Sequence, residues 1–171
     1  MESAVQRDGA GLGDVVAGYA DEHRPLAAYS LLTASFGAAL AGALLEAARR
    51  DKLPAHIGYG DVVLTGVATH KLSRLIGKDR VTSFLRAPFA RYQEPAGHGE
   101  VEEEPRGTGL RLALGELLVC PYCLGQWVAA GLLGGLVFAP RPTRLVTGMY
   151  TALTISDFLQ MAYKAAEERS G

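Results

Sequence analysis

Excess charge of either sign is missing from this chain. Lys and Arg number 17 against 18 Asp and Glu in 171 residues, a formal net charge of -1. That balance argues against nucleic acid, which selects basic domains, so no nucleic-acid partner is expected. Cysteine is scarce. The two present, Cys120 and Cys123, cannot build a disulfide framework or a four-thiolate zinc site. They also fall short of the two successive pairs through which membrane disulfide enzymes relay electrons. A basic start leading into a short apolar core is missing too. Met1 to Arg24 carries Glu2, Asp8, Asp14, Asp21 and Glu22, so a retained membrane helix is expected rather than a removable signal peptide. Gly9, Gly11 and Gly13 have no preceding strand and no lysine in register, and match a phosphate loop only by chance. Residues 1–25 read as a flexible, solvated tail.

Long apolar runs are what the chain does have. A bilayer core requires about 20 mostly apolar residues in a helix, and 26–45 supplies that length without a charge. Its Gly37, Ala38, Ala41 and Gly42 are spaced for close helix contact. The run 117–139 is equally uncharged, although Pro121 and Gly125 interrupt its first turns, and Gly131 and Gly135 form a Gly-x-x-x-Gly face. A third run, 145–162, contains Asp157, and Pro140 and Pro142 mark a tight turn before it, which predicts an antiparallel hairpin. The segment 57–76 is more ambiguous because it carries Asp61, His70, Lys71 and Arg74. Its Asp61, Thr65, Thr69 and Ser73 recur every four residues, a polar stripe suited to a bundle interior. The expected fold is an all-α, polytopic membrane helical bundle of three to four spans, 57–76 being the optional one. The membrane domain is 26–171, with a cytoplasmic loop over 77–116.

Lys and Arg crowd into that central loop and the C-terminus, which places both on the cytoplasmic side whether 57–76 crosses or not. The loop divides by charge. Residues 78–91 are basic and interleaved with Phe84, Leu85 and Phe89, a composition that rests on anionic headgroups. Lys78, Arg80, Arg86 and Arg91 are the candidates to bind headgroups or to pair with the loop's own glutamates. Glu100 to Glu104 lies among glycines and prolines and reads as a turn-rich, solvated loop.

Two features carry chemistry. Cys120-Pro121-Tyr122-Cys123 is the active-site string of glutaredoxins, where the motif follows a strand and opens a helix that lowers the first thiol's pKa. Here no βαβ pattern and no cis-proline segment accompany it. A membrane thiol oxidoreductase fits better: with Pro121 in the first turn, Cys120 sits at a helix start. A reducing cytoplasmic face opposes stable disulfide chemistry. Alternatively the pair is half a zinc site, with His70 and His98 completing four ligands; no cofactor is expected, and zinc is the one alternative. The plain alternative is two reduced structural cysteines. The second feature is intramembrane charge. Asp61 and Asp157 are costly unless paired, and His70, Lys71 and Arg74 are their expected partners, as interhelical clamps or as parts of an ion path.

Several segments together resemble a known family. Thr69-His70-Lys71-Leu72-Ser73-Arg74, Lys78-Asp79, Val81-Thr82-Ser83 and Arg86-Ala87-Pro88-Phe89 with Arg91 come first. Gly99-Glu100-Val101-Glu102-Glu103-Glu104, Arg106-Gly107, Gly115-Glu116-Leu117-Leu118, Cys120-Pro121-Tyr122-Cys123, Gly125 and Trp127 follow in order. This series is similar to the domain of unknown function thirteen-sixty, small bacterial integral membrane proteins, some labelled sporulation-associated. The resemblance covers about 57–138. It implies a multi-pass location in the bacterial inner (cytoplasmic) membrane and no established reaction. The expected function is a non-catalytic structural or interaction component. Its partners would be the lipid bilayer, anionic headgroups, and a protein partner or a second copy. A thiol-redox or zinc activity at Cys120 and Cys123 is the alternative.

Overall fold

The computed structural model describes Tyr19 and residues 24–170. In chain order it contains α1 (Leu26–Arg49), α2 (Tyr59–Gly77), the short α3 (Ser83–Arg86), β1 (Ala90–Gly97) and β2 (Glu100–Pro105). Then come α4 (Gly109–Val119), α5 (Pro121–Phe138) and α6 (Pro140–Ser170). The tail expected over 1–25 lies almost wholly outside the described residues.

Interhelical contacts set the directions. Tyr29 reaches Glu116 just before α5, and Phe36 meets Trp127 edge to face with centroids 5.0 Å apart. α1 and α5 therefore run parallel. Between α2 and α6 the rungs are Asp61–Arg144, the Leu64 carbonyl with Thr151, and Lys71–Asp157, so these two also run parallel. The C-terminal end of α2 meets the start of α5: a Cβ on Gly77 would sit 3.1 Å from the Leu118 carbonyl and 3.5 Å from Pro121. α2 and α6 thus return in the direction opposite to α1 and α5. The segment 78–119, containing α3, the two strands and α4, forms a head at one end of the helices.

Two corrections to the expected fold class follow. The chain is mostly helical but not all-α, because β1 and β2 form an antiparallel two-stranded sheet. It is also not a bundle of three to four spans. Among the described residues two helices, Leu26–Arg49 and Pro121–Phe138, are long and apolar enough to cross a membrane. In α2 the charges of Asp61, Lys71 and Arg74 hold hydropathy down. In α6, Asp157 and a row of threonines do the same.

The glutamate-rich half of the loop is strand because its pattern has period two. Val101 and Glu103 face inward, Val101 at 2% exposure. Glu100 and Glu102 face the other way, toward Arg74 and Lys78. Gly97, His98 and Gly99 turn the hairpin, all three with positive φ (82°, 46° and 83°). The flanking glycines adopt that region freely; His98 is one of the uncommon residues that do so with a Cβ. The hairpin is tied to the end of α2 through Arg80 N–H to the Gly99 carbonyl and Val101 N–H to the Lys78 carbonyl, each 2.9 Å.

The run 117–139 is broken. α4 ends at Val119, Cys120 is extended (φ -104°, ψ 103°), and α5 starts at Pro121. At the far end Ala139 separates α5 from α6, and a Cβ on Gly135 would lie 2.6 Å from Thr143 Oγ1. Gly131, by contrast, has open space around it, so the Gly-x-x-x-Gly pair acts through Gly135.

Packing within the helices is inverted relative to a water-soluble bundle. The buried positions of α2 and α6 are Thr65, Ala68, Ser73, Gly77, Thr147 and Thr154. Large apolar side chains such as Leu31, Leu44, Leu45, Val63, Ile155 and Leu159 point outward.

Candidate functional site

Arg86 anchors the head. Its side chain is fully buried and forms an ion pair with Glu103, whose side chain is 5% exposed. Nη1 donates to the Ile76 carbonyl at 2.5 Å and to Thr82 Oγ1 at 2.9 Å. Nη2 donates to the Asp79 carbonyl at 2.9 Å and to Ser83 Oγ at 3.2 Å. With Nε on Glu103, all five guanidinium donors are engaged. The acceptors explain the burial. A helix leaves its last carbonyls without intrahelical partners, and Arg86 takes that of Ile76 while Thr82 Oγ1 donates to that of Leu75 at 2.5 Å. A cation there also complements the negative end of the helix dipole.

Two further head arginines, Arg106 and Arg111, brace the turn after α3. Arg106 donates to the Ala87 carbonyl at 2.7 Å, and Arg111 donates twice to the Pro88 carbonyl, at 2.9 and 2.7 Å. Gly115 of α4 lies under this turn, where a Cβ would meet the Phe89 carbonyl oxygen at 2.6 Å.

The other candidate cations divide. Lys78 pairs with Glu102 at 2.7 Å. Arg80 and Arg91 are exposed and form no side-chain hydrogen bond or ion pair among the described residues. Arg74, an expected partner of Asp61 or Asp157, pairs with Glu100 instead, and hydrogen bonding to that carboxylate raises its already high pKa. Asp157 takes Lys71 at 2.6 Å. Asp61 takes none of its three expected partners. Both its oxygens accept from Arg144, at 2.9 and 2.7 Å.

His70 and His98 come together, but away from the cysteines. Both line a cavity of about 540 Å³ where α2, α6 and the hairpin tip meet, along with Lys71, Arg74, Asp79, Glu100, Asp157 and Lys164. Cys120 and Cys123 do not line it. They lie at the start of α5, both as free thiols, with Cys123 exposed. Cys120 Sγ accepts a hydrogen bond from the Cys123 N–H at 3.2 Å, the position of a helix N-cap, with Pro121 in the first turn. Among the described residues no group of three or more His, Cys, Asp or Glu is placed to hold a metal ion.

Sequence reasoning missed the role of Arg86 as a helix-end cap. The signal available to it was Thr82 and Ser83 lying four and three residues before an arginine, just past the end of a helical pattern. It also missed Glu116, which accepts from Tyr29 Oη at 2.5 Å and from Arg24 at 3.3 Å and so ties α1 to the head.

A family model described as Protein of unknown function (DUF1360) matches residues 64–163. The chain is 36% identical over 75 residues to Sporulation protein YjcA of Bacillus subtilis (strain 168), covering 42% of this chain and 64% of that protein. To UPF0713 protein YngL of the same organism it is 32% identical over 78 residues, covering 44% of this chain and 56% of that protein. The chain thus spans less than two thirds of the length of either relative. No solved structure matches it.

Proposed function

Because the chain belongs to the DUF1360 family, whose function is unknown, we propose from its geometry that it is a non-catalytic protein of the bacterial cytoplasmic membrane. α1 and α5 lie in the bilayer, and the head serves as an interaction surface. The inverted packing carries this reading. In α1 the buried position is the small Ala47, while Leu31, Leu40, Leu44 and Leu45 face outward. Water disfavours so much exposed apolar surface, and lipid does not. The excess of Lys and Arg around the head orients it toward the cytoplasm.

The head offers recognition rather than chemistry. Its buried arginine and Lys78 are closed on its own glutamates, and Arg74 near the end of α2 holds another, giving a fixed shape. Arg80 and Arg91 remain outward for an anionic headgroup or an acidic protein surface. Sporulation, carried in the name of one relative, is the process in which to look for the partner.

Washing host membranes with alkaline carbonate tests the location: the protein stays in the pellet, and release into the supernatant overturns it. In a host lacking its own copy, a Cys120→Ser/Cys123→Ser double variant restores the wild-type phenotype, and Arg80→Glu/Arg91→Glu does not. The opposite result would establish the thiol alternative.

A further inference from the structure

A second cavity, of about 560 Å³, lies at the opposite end of the helices from the head. Its walls are apolar and come from both candidate spans: Leu40 and Leu44 of α1, Leu133, Val137 and Phe138 of α5. Ala43, Ala47, Ala130 and Gly134 leave the space open between them, and a Cβ placed on Gly134 meets nothing within 4 Å. Apolar walls of this volume are typical of small-molecule sites.

The border of the cavity is charged. Lys52, His56, Asp61 and Arg144 line it. Arg144 is neutralised by Asp61, and nearby Arg50 by Glu46. Lys52 has no ion pair among the described residues, nor has Arg49 in the last turn of α1. Asp51, also without an ion pair among the described residues, offsets one of these cations, and the border is left with a single net positive charge beside an apolar slot. An anionic amphiphile has the complementary pattern of one charged head and a hydrocarbon tail.

We propose that this cavity is a phospholipid site: one acyl chain lies between α1 and α5, and an anionic headgroup rests on Lys52. The source is the bilayer, since both walls are the helices apolar enough to cross it. The site rests on the membrane reading above. A juxtamembrane lysine contributes enough attraction to an anionic lipid to change its occupancy about fivefold.

The test uses the full chain purified in detergent, equilibrated with micelles holding equal phosphatidylglycerol and phosphatidylethanolamine, and weighed intact by native mass spectrometry. Wild type retains one phosphatidylglycerol. Gly134→Leu, which projects into the slot from a position where a Cβ meets nothing within 4 Å, retains none while eluting as wild type on size exclusion. Lys52→Ala still binds lipid but loses about fivefold of the preference for phosphatidylglycerol. Equal retention in wild type and Gly134→Leu overturns the site, as does an unchanged preference in Lys52→Ala. A bound free fatty acid in place of phospholipid overturns the assigned source. The carbonate wash reads the membrane assignment separately: a pelleted protein without bound lipid sinks this proposal alone, and a released protein sinks both.

Discussion

Arg86 and Glu103 form an ion pair with side chains 0% and 5% exposed, joining the segment after α2 to the second strand of the hairpin. Removing one member of a buried pair leaves the other charged and unsolvated, at about 3–5 kcal/mol. Arg86→Ala and Glu103→Ala should each cost in that range, read from thermal unfolding of the detergent-solubilised protein. Arg86→Lys should recover little, because an ammonium cannot reach acceptors placed for a planar fork. The double variant Arg86→Met/Glu103→Leu separates pairing from capping. If the ion pair were the whole role, replacing both charges would be near neutral. Since Arg86 also holds the carbonyls of Ile76 and Asp79, the double variant should stay well below wild type.

Gly115 is needed for space. A methyl there would lie 2.6 Å from the Phe89 carbonyl oxygen and 3.1 Å from Pro105, and backbone cannot swing aside as a side chain can. Gly115→Ala should cost about 1–3 kcal/mol, the range for overpacking. Hydrogen exchange should show the loss in the turn before β1 and along β2. Gly131→Ala is the control, with nothing within 4 Å of its new methyl. Equal damage from both would mean that helix glycines matter here for some reason other than this contact.

Part of this was legible in the sequence and part was not. Leu26 to Leu45 and Leu124 to Phe138 could be read because length and the absence of charge are local properties. The hairpin was hidden because the run Glu100 to Glu104 reads as solvated charge unless alternate glutamates are assigned to opposite faces. Their cationic partners identify the faces, and those lie as far back as Arg74. The burial of Arg86 follows from the open carbonyls of a helix ten residues earlier, which no propensity scale registers. His70, Lys71 and Arg74 lie nine to thirteen positions beyond Asp61 on the same helix, roughly 14–20 Å at 1.5 Å per residue and beyond the reach of a side-chain ion pair. Arg144, 83 positions away, reaches Asp61 from the parallel helix.

The Asp61–Arg144 pair gives a pH dependence with a definite sign. Hydrogen bonding from Arg144 holds the Asp61 carboxyl below its usual range, against a smaller opposing effect of desolvation. A carboxylate depressed in the folded state contributes stability fully above its unfolded pKa of about 4. That contribution is lost as pH falls through the lower folded value. The α2–α6 contact should therefore be insensitive to this pair between pH 5 and 7 and weaken in acid. Asp61→Asn should flatten the acid limb of a melting-temperature profile. An acid limb unchanged in the variant would assign the effect to another carboxylate.

Cys120 caps α5 with its sulfur, and this separates a structural thiol from a reactive one. Serine is among the best N-cap residues and places an oxygen where the sulfur lies, whereas alanine leaves the Cys123 N–H without its acceptor at about 1 kcal/mol. Stability should follow the order Cys120→Ser near wild type and Cys120→Ala lower, with Cys123→Ala nearly silent because that side chain is exposed. Thiol chemistry would order the variants differently. Serine and alanine at 120 would abolish function equally while leaving melting temperatures apart, and loss of Cys123 would matter as much as loss of Cys120. Melting temperatures and complementation measured on the same three variants therefore distinguish a cysteine that starts a helix from one that exchanges electrons.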